Sequence, residues 1–296
     1  VGFQWVMEAK RRGATIIHVD PRFTRTSALA DLHVPIRAGS DIAFLGCLIN
    51  HVLTTDFYFH EYVRAYTNAS TIIGEEFLDT EDLAGLFSGF DSGDRTYDFE
   101  SWQYEGRGND MPDESGSGED DSDDEPAEVP GAAGARASAT TTDPNVDETL
   151  QHPRCVFQIL KRHFSRYTPE MVERTCGIAT EDFHRVARAL TENSGRERTS
   201  AFCYAVGWTQ HTVGVQYIRT AAILQLLLGN IGRPGGGIMA LRGHASIQGS
   251  TDIPTLFDLL PGYLPTPDAH SQPDLDSYIG TDDEAQGFCA SSSVPM

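Results

Sequence analysis

Residues 14–20 read Ala-Thr-Ile-Ile-His-Val-Asp, and this stretch decides the fold class. A short run rich in β-branched residues is typical of a buried strand in a parallel sheet. The pattern of residues 3–12 before it predicts a helix, which we expect Gly13 to end at the C′ position. A helix, a glycine and a strand that ends in an acidic residue make up half of a βαβ unit. The stretch therefore predicts an α/β fold.

Working outward from this stretch, further segments repeat the same order of elements. Residues 33–37 predict a second strand, and residues 200–206 predict another. We expect Asp41 to N-cap the helix after the second strand, and a long apolar helix to cover residues 211–228. Thr168-Pro169-Glu170 predicts one more helix start. The sequence therefore predicts a Rossmann-like parallel sheet with helices on both faces and ligand loops at the carboxyl ends of its strands.

The charge balance excludes some classes of partner. The chain has 22 Lys and Arg residues against 43 Asp and Glu residues, a net charge of −21. This excess of acid argues against sequence-independent binding to nucleic acid and against docking on an anionic membrane surface. No apolar run reaches the roughly 18 residues of a membrane span, so we expect no direct membrane insertion. Only Lys10 and Lys161 are lysines, which predicts a halophilic protein, with drift in a GC-rich genome as the alternative.

The acidic residues are concentrated in one segment. From Glu105 to Glu148 there are fourteen acidic residues and two basic ones. The segment lacks apolar periodicity and is not expected to bury apolar surface, so we predict an acidic disordered insertion. A regulatory or partner-binding role is the alternative interpretation.

The five cysteines do not predict a disulfide framework, a zinc site or an Fe–S site. None of them forms a CxxC pair, and their number is odd. Cys47 and Cys203 lie in apolar runs, so we expect both to be small core residues.

Three segments carry polar residues where ligands bind in α/β proteins. Asp20 follows a strand, where dinucleotide folds place an acid that binds a ribose or a guanine edge, although a plain Asp-Pro turn is equally compatible. Thr209 and Gln210 follow a second strand. Residues 229–249 are glycine-rich and contain Arg242, a candidate anion binder; a packed glycine-rich loop is the alternative. Together the three segments predict a large nucleotide-like or pterin-like ligand and leave the reaction open.

Five strings carry a resemblance to a known family. They are DPRFTRT at residues 20–26, RAGSDIAFL at 37–45, GWTQH at 207–211, LGNIGRPGGG at 228–237 and RGHASIQGSTD at 242–252. In this order and at these spacings they resemble the molybdopterin oxidoreductases of the dimethyl sulfoxide reductase superfamily. The likeness is greatest to the catalytic alpha subunit of respiratory formate dehydrogenase, and it covers roughly residues 1–104 and 149–279.

The resemblance implies a molybdenum or tungsten centre held by two molybdopterin guanine dinucleotides. Two segments are then expected at a guanine nucleotide; their residues are Asp20, Arg22, Thr24, Gly39, Ser40 and Asp41. Two others are expected at the pterin or its pyrophosphate, or in support of it; their residues are Gly207, Thr209, Gln210, Gly229 and Asn230. Arg233 is expected to add positive charge near the anionic groups.

The catalytic residues that the resemblance implies lie in the last string. Arg242 is expected to orient the formate carboxylate through charge-assisted hydrogen bonds, and His244 to line the same site. Gly243, between them, is expected at the cofactor. No metal ligand is predicted within this sequence, since the family's metal-binding cysteine or selenocysteine has no counterpart in it.

The resemblance also implies a domain organisation. The predicted parts are the first part of the molybdopterin guanine dinucleotide-binding α/β domain at 1–104, the acidic insertion at 105–148, the second part of the same domain at 149–244, the start of a neighbouring cofactor-binding domain at 245–279, and a tail unlike the family at 280–296. The family's [4Fe-4S] cysteines have no counterpart in this sequence. We therefore expect a piece of a longer chain that is inactive alone.

Formate oxidation to CO₂ is the function that the resemblance implies. The expected partners are formate, an Fe–S electron-transfer subunit and a membrane cytochrome-type subunit. The expected location is extracytoplasmic and membrane-associated through those subunits, with the cytoplasm as the alternative. Another molybdopterin oxidoreductase, acting on nitrate or a sulfur compound, and a catalytically dead remnant are the alternative functions. Arg242 favours formate, because oxo transfer needs no carboxylate clamp.

Overall fold

The first two strands pair in parallel in the computed structural model. β1 (Ile17–Val19) lies beside β2 (Leu32–Val34), with His18 opposite His33. The pairing confirms the α/β character of the chain, although both strands are three residues long and mostly half-buried rather than buried. The helix before β1 is followed by Gly13 at a φ of 97°, which is the left-handed C′ residue that the sequence predicts.

The structure describes residues 2–98, 100–106, 143–243, 259–260, 264–265 and 274–279. Its α-helices there are α1 (Phe3–Arg11), α2 (Arg25–Leu29), α3 (Asp41–Thr54), α4 (His60–Tyr66), α5 (Val156–Phe164), α6 (Pro169–Cys176), α7 (Thr180–Glu192), α8 (Val206–Thr209), α9 (Gly214–Leu227) and α10 (Leu275–Ile279). A 3₁₀ turn covers Glu100–Trp102. The other strands are β3 (Phe90–Asp91), β4 (Thr96–Tyr97), β5 (Ala201–Tyr204), β6 (Gly237–Ala240), β7 (Leu259–Leu260) and β8 (Leu264–Pro265).

The described strands form two-stranded sheets: β1 with β2, β3 with β4, β5 with β6 and β7 with β8. The β3–β4 and β7–β8 pairs are antiparallel. The Rossmann-like sheet with helices on both faces, which is the finer prediction, stays a prediction.

Helix α3 is the centre of the core. It packs against α9, α6, α5 and α7, and the side chains from Ala43 to Ile49 along it are buried. Burying a leucine or isoleucine side chain contributes about 1.5–3 kcal/mol, so this helix supplies a large part of the hydrophobic stabilisation. Its N-cap is Ser40; the prediction of Asp41 at that position is wrong by one residue. Asp41 instead lies in the first turn, where its negative charge favours the helix dipole.

The predictions that Cys47 and Cys203 are core residues have different outcomes. Cys47 is buried in the core, as predicted. Cys203 is exposed on β5, so the prediction of a core residue is wrong there. An alternating strand with one face open places an apolar residue on the surface as readily as inside.

The two ends of the acidic segment meet. The Asn145 amide N–H donates to the Glu105 carbonyl at 2.8 Å, and the Glu105 N–H donates to the Ile72 carbonyl at 2.9 Å. Near the C-terminal end of the segment, the Asp147 carboxylate accepts four hydrogen bonds from Thr149, Gln151 and His152. These bonds lower the pKa of Asp147 to about 2. The residues from 143 onward are thus part of the fold, although the predicted insertion extends to 148.

The chain divides into two compact units. One comprises Val1–Phe202 and Trp208–Ile238, and the other comprises Cys203–Gly207 and Met239–Met296. Helix α3 and its neighbours belong to the first. In the second, the Leu241 N–H donates to the Tyr204 carbonyl at 2.7 Å.

No helix in the described ranges combines the length and the apolar character that crossing a membrane requires.

We predict that residues 107–142 are dispensable for folding. Replacing them with a short Gly-Ser linker should leave the thermal midpoint within about 2 °C of the starting protein, because the segment's ends are already joined and a shorter loop costs less closure entropy. Circular dichroism melting measures this. Extending the same deletion through residue 148 is the matched control; it removes the Asp147 cap and should lower the midpoint clearly. Equal thermal midpoints for the two deletion variants would contradict the conclusion that the residues from 143 onward are part of the fold.

Candidate functional site

The loop after β1 presents a partly open carboxylate. The Oδ1 atom of Asp20 accepts the Arg22 backbone N–H at 2.8 Å, which forms the predicted turn. Its Oδ2 atom has only the His18 Nε2 atom nearby among the described residues, at 3.9 Å, and the side chain is 37% exposed. Such an oxygen is free to accept hydrogen bonds from a ligand. The Asp-Pro turn and the ligand-binding acid are therefore compatible interpretations of the same residue.

The remaining residues of this loop have separate roles. Arg22 is exposed, and no described carboxylate forms an ion pair with it. Thr24 is the N-cap of α2, and its hydroxyl accepts the Thr26 N–H at 3.2 Å. The loop thus combines a structured backbone with a cation whose charge is available.

The turn before α3 is held by its own side chains. Gly39 has a φ of 84°, and the Ser40 hydroxyl donates to the Arg37 carbonyl at 2.6 Å. Asp41 accepts the indole N–H of Trp208 at 3.1 Å. Burial raises the pKa of the Asp41 carboxyl above its usual value, and the hydrogen bond from Trp208 partly opposes that effect.

The loop before α9 meets this turn. Besides the bond from Trp208, the buried Tyr217 hydroxyl donates to the Gly39 carbonyl at 2.9 Å. The predicted segment at 39–41 and residues 208–211 of the second segment therefore come together in the first unit. Thr209 and Gln210 are exposed there, with side chains available to a ligand.

His211 has a buried polar atom whose burial the fold does not explain. Its Nδ1 atom is buried and lacks a hydrogen-bond partner within the described part of the chain. Its ring lies 5.4 Å from that of Tyr217. A buried nitrogen without a partner costs free energy and is expected to bind a ligand atom or water.

Residues 229–237 form a packed support. The Asn230 side chain is fully buried; its Nδ2 donates to Ser194 Oγ at 3.0 Å, Ser200 Oγ at 2.9 Å and Gln225 Oε1 at 2.8 Å. Gln225, also fully buried, donates to the carbonyls of Ser200 and Gly237. These bonds leave the Asn230 amide N–H₂ fully used inside the protein. A supporting role fits it better than contact with a ligand.

Two glycines in this segment are required by close packing. A Cβ on Gly229, whose φ is 69°, would lie 2.4 Å from the Phe59 ring. A Cβ on Gly236 would lie 2.2 Å from the Asn230 carbonyl. Both contacts are within the protein, so the glycine content here serves the loop itself and agrees with the packed-loop alternative.

Arg233 also stabilises the loop at residues 229–237. Its guanidinium donates to the carbonyls of Gly195, Gly229 and Arg196 and lies over the Phe59 ring at 5.7 Å. The positive charge is thus directed at backbone oxygens.

The second unit carries the predicted substrate arginine. Arg242 is exposed, two residues beyond β6, and has no ion pair with a described carboxylate. Gly207 and Gly243 are exposed in the same unit. His244 lies outside the described residues. No group of three or more His, Cys, Asp or Glu side chains within the described ranges is arranged to hold a metal ion.

Comparison with known proteins identifies the relatives of the chain. It is 47% identical over 280 residues to the major subunit of the nitrate-inducible formate dehydrogenase of Escherichia coli, a match of 94% of this chain and 24% of that protein. It is 43% identical over 272 residues to the alpha subunit of formate dehydrogenase 2 (cytochrome c-553) of Nitratidesulfovibrio vulgaris, a match of 92% of this chain and 23% of that one. The chain is homologous to part of the formate dehydrogenase major subunits. This confirms the resemblance that the motifs indicated.

Other comparisons add less. The chain spans about a quarter of the length of the curated relatives that it matches. No protein-family model matches it. Acetylene hydratase from Pelobacter acetylenicus resembles the structure with a TM-score of 0.43 and 16% identity, over 79% of this chain and 20% of that one.

Sequence reasoning missed the residues that join the predicted segments. Tyr217, Gln225 and the indole of Trp208 connect parts of the chain up to 178 positions apart. A polar side chain in an apolar helix, such as Gln225 in α9, was the one available indication, because a buried amide needs partners.

We predict that Asn230→Ala lowers the free energy of unfolding by at least about 2 kcal/mol, because it leaves buried partners unsatisfied. Asn193→Ala is the matched control; at its half-buried position the amide of Asn193 donates to the Ala189 carbonyl and accepts one long bond, at 3.4 Å, from Arg198. Asn193→Ala should lower the free energy of unfolding clearly less than Asn230→Ala does. Urea denaturation of both variants measures the difference. Similar losses for the two asparagines would contradict a central role for Asn230.

Proposed function

We propose that this chain forms part of the catalytic subunit of a formate dehydrogenase that oxidises formate to CO₂. The identity of 43–47% to formate dehydrogenase major and alpha subunits, over more than nine tenths of the chain, is the observation that carries the proposal. The reaction releases two electrons and one proton per formate. We propose that the electrons pass through Fe–S centres to partner subunits; the name of one relative includes a cytochrome, cytochrome c-553.

We further propose that the chain binds molybdopterin guanine dinucleotide. The fit rests on three features of the first unit: the open Oδ2 of Asp20, the exposed Thr209 and Gln210, and the buried Nδ1 of His211, which has no partner among the described residues. A carboxylate oxygen accepts the N1–H and amino N–H donors of guanine, while amide and hydroxyl side chains bind pterin or phosphate oxygens. The cofactor would supply the molybdenum or tungsten centre that accepts the electrons of formate.

Within this proposal the residues divide into binding and supporting groups. Asp20, Arg22 and Thr24 bind the guanosine end, next to the turn of Gly39, Ser40 and Asp41. Gly207, Thr209 and Gln210 bind the pterin or its pyrophosphate. Gly229 and Asn230 support that loop from within, through the packing and hydrogen bonds described above. The two described parallel strands are then the beginning of a Rossmann-like sheet with its ligand loops at the carboxyl edge.

Arg242 is proposed as the residue that binds formate. Its guanidinium is exposed and has no carboxylate partner among the described residues, so its charge is available to an anion. A planar guanidinium donates two parallel hydrogen bonds to a carboxylate, which fixes the orientation of the C–H bond that must break. Gly243 next to it admits close approach of the cofactor, and His244 completes this wall of the site.

The partners follow from the same proposal. An Fe–S subunit and a membrane cytochrome-type subunit receive the electrons, and a [4Fe-4S] cluster in another part of the polypeptide passes them on. We propose an extracytoplasmic, membrane-associated location through those subunits. The chain by itself is expected to be inactive.

We predict that Arg242→Ala in the complete enzyme raises the KM for formate and lowers kcat/KM by about 10- to 100-fold, as expected for loss of a charge-assisted hydrogen bond. Arg242→Lys should recover part of the loss, because it restores the charge without the planar fork. Steady-state kinetics with an artificial electron acceptor measures both. Arg188→Ala, at an exposed position on α7, is the control and should behave as the starting enzyme.

Two results would overturn the proposal. Kinetic constants within about twofold of the starting enzyme for Arg242→Ala would remove the assigned role of this residue. A complete, cofactor-loaded enzyme that reduces nitrate and leaves formate unchanged would remove the formate activity itself.

A further inference from the structure

Two histidines face one another at the middle of the paired parallel strands. His18 on β1 and His33 on β2 are in register, with ring centroids 5.8 Å apart. His33 Nε2 lies 3.1 Å from the Asp20 carbonyl. His18 is two residues before Asp20, and its side chain is 21% exposed. The loop that presents Asp20 therefore lies against the two imidazole rings.

A chain of contacts connects His18 to the rest of this loop. Its Nδ1 atom lies 2.9 Å from the hydroxyl of Ser27, a buried residue of α2. The same hydroxyl accepts the Thr24 backbone N–H at 2.8 Å. Thr24 and Ser27 thereby form a reciprocal capping box, which fixes the path of the chain between β1 and α2.

The arrangement favours one tautomer of His18. Since the Ser27 oxygen already accepts the Thr24 N–H, its own proton is free to donate to an unprotonated Nδ1. The ring proton then lies on Nε2, which faces Asp20 Oδ2 at 3.9 Å. That distance is too long for a hydrogen bond, so the interaction is an electrostatic attraction between the N–H and the carboxylate.

We propose that His18 is a positioning residue for nucleotide binding: its neutral ring holds Ser27, and through it Thr24, on one side and orients the Asp20 carboxylate toward the guanine on the other. This inference rests on the proposed function, which assigns Asp20 and Thr24 to the guanosine end of the cofactor. His18 itself does not contact the nucleotide.

Protonation of His18 would disturb both sides. The Nδ1 atom would become a donor, so the Ser27 hydroxyl would no longer donate to it and would have to turn its proton away, and the cation would draw Asp20 away from the ligand. Burial lowers the pKa of His18 below its usual 6.5, the Asp20 carboxylate raises it in part, and His33 lowers it further. Those two groups are the charged and titratable neighbours that act on His18. The neutral form is thus maintained at pH 7, and binding should weaken only as the pH falls below about 6.5.

The test uses the complete holoenzyme and the guanine nucleotide that it carries. The purified enzyme is incubated between pH 5 and pH 8 and desalted, and the nucleotide still bound is released with acid and quantified as GMP. His18→Asn keeps an acceptor near the Nδ1 position and loses the Nε2 side, whereas His18→Gln keeps a donor near Nε2 and loses the Nδ1 side. Ser27→Ala removes the link to Thr24. His184→Gln, at an exposed histidine of α7 away from this loop, is the control.

We expect His18→Gln and Ser27→Ala, which each lose a hydrogen bond, to lose nucleotide about fivefold faster than the starting enzyme at pH 7.5. His18→Asn loses only the electrostatic attraction to Asp20, so its loss of nucleotide should be accelerated by a smaller factor. The acceleration in acid should be absent from both His18 variants and present in the His184→Gln control. A residue with only a structural role would lower the thermal midpoint and leave that acid dependence in place, so the melting of every variant is measured alongside.

The outcomes separate this inference from the proposed function. Nucleotide-loaded His18 variants with the starting enzyme's retention at every pH would overturn the positioning role and leave the proposed function standing. Persistence of the acid dependence in both His18 variants would also overturn it. A starting enzyme that releases no guanine nucleotide would refute the cofactor assignment, and the positioning role with it.

Discussion

The hydrogen bond from the Trp208 indole to the Asp41 carboxylate, at 3.1 Å, is the contact on which the arrangement of the first unit depends. It joins the start of the core helix α3 to the loop before α9. The bond from the Tyr217 hydroxyl to the Gly39 carbonyl repeats the connection nearby. Because α3 and α9 also pack on each other along their apolar faces, the two polar bonds set the register of a contact whose stability is hydrophobic. The ligand-binding candidates of these two segments are therefore placed by the core.

Several buried polar groups around the loop at 229–237 are satisfied in the same manner. Asn230 and Gln225 bond to one another and to the segment before β5, and Arg233 binds three backbone carbonyls. Each group would be costly if unpaired, so together they permit few alternative positions for the loop at 229–237. The Nδ1 atom of His211 is different: it is buried and has no partner among the described residues. The contrast supports a ligand atom at that position.

Local features of the fold were predictable from the sequence, and contacts over long distances in the chain were not. Gly13 after α1 and Thr168 and Pro169 at the start of α6 follow from backbone preferences that act within a few residues. The parallel pairing of the first strands follows from the order strand, helix, strand along a short stretch of chain. Ser40 replaced Asp41 as the N-cap because the turn at Gly39 fixes where the helix can begin. Candidate residues in separate strings could be grouped into one site only through the family resemblance. The partners of Trp208, Tyr217 and Asn230 depend on packing, which one sequence does not encode in any local pattern.

The arginines show how an acidic chain keeps positive charge for an anionic ligand. Arg233 and Arg37 are used on backbone carbonyls, and Arg162 pairs with Asp82 on the surface. Arg22 and Arg242, in contrast, have no ion pair with a described carboxylate, despite the net charge of −21. In a chain with so many acids, an arginine next to a site remains available only where the nearby carboxylates do not pair with it. Arg22 meets that condition: the neighbouring Asp20 carboxylate binds the Arg22 backbone N–H rather than its guanidinium, and Asp20 Oδ2 stays open to a ligand. The loop can thus present a carboxylate and a guanidinium together, as a ligand with both a guanine edge and a phosphate requires.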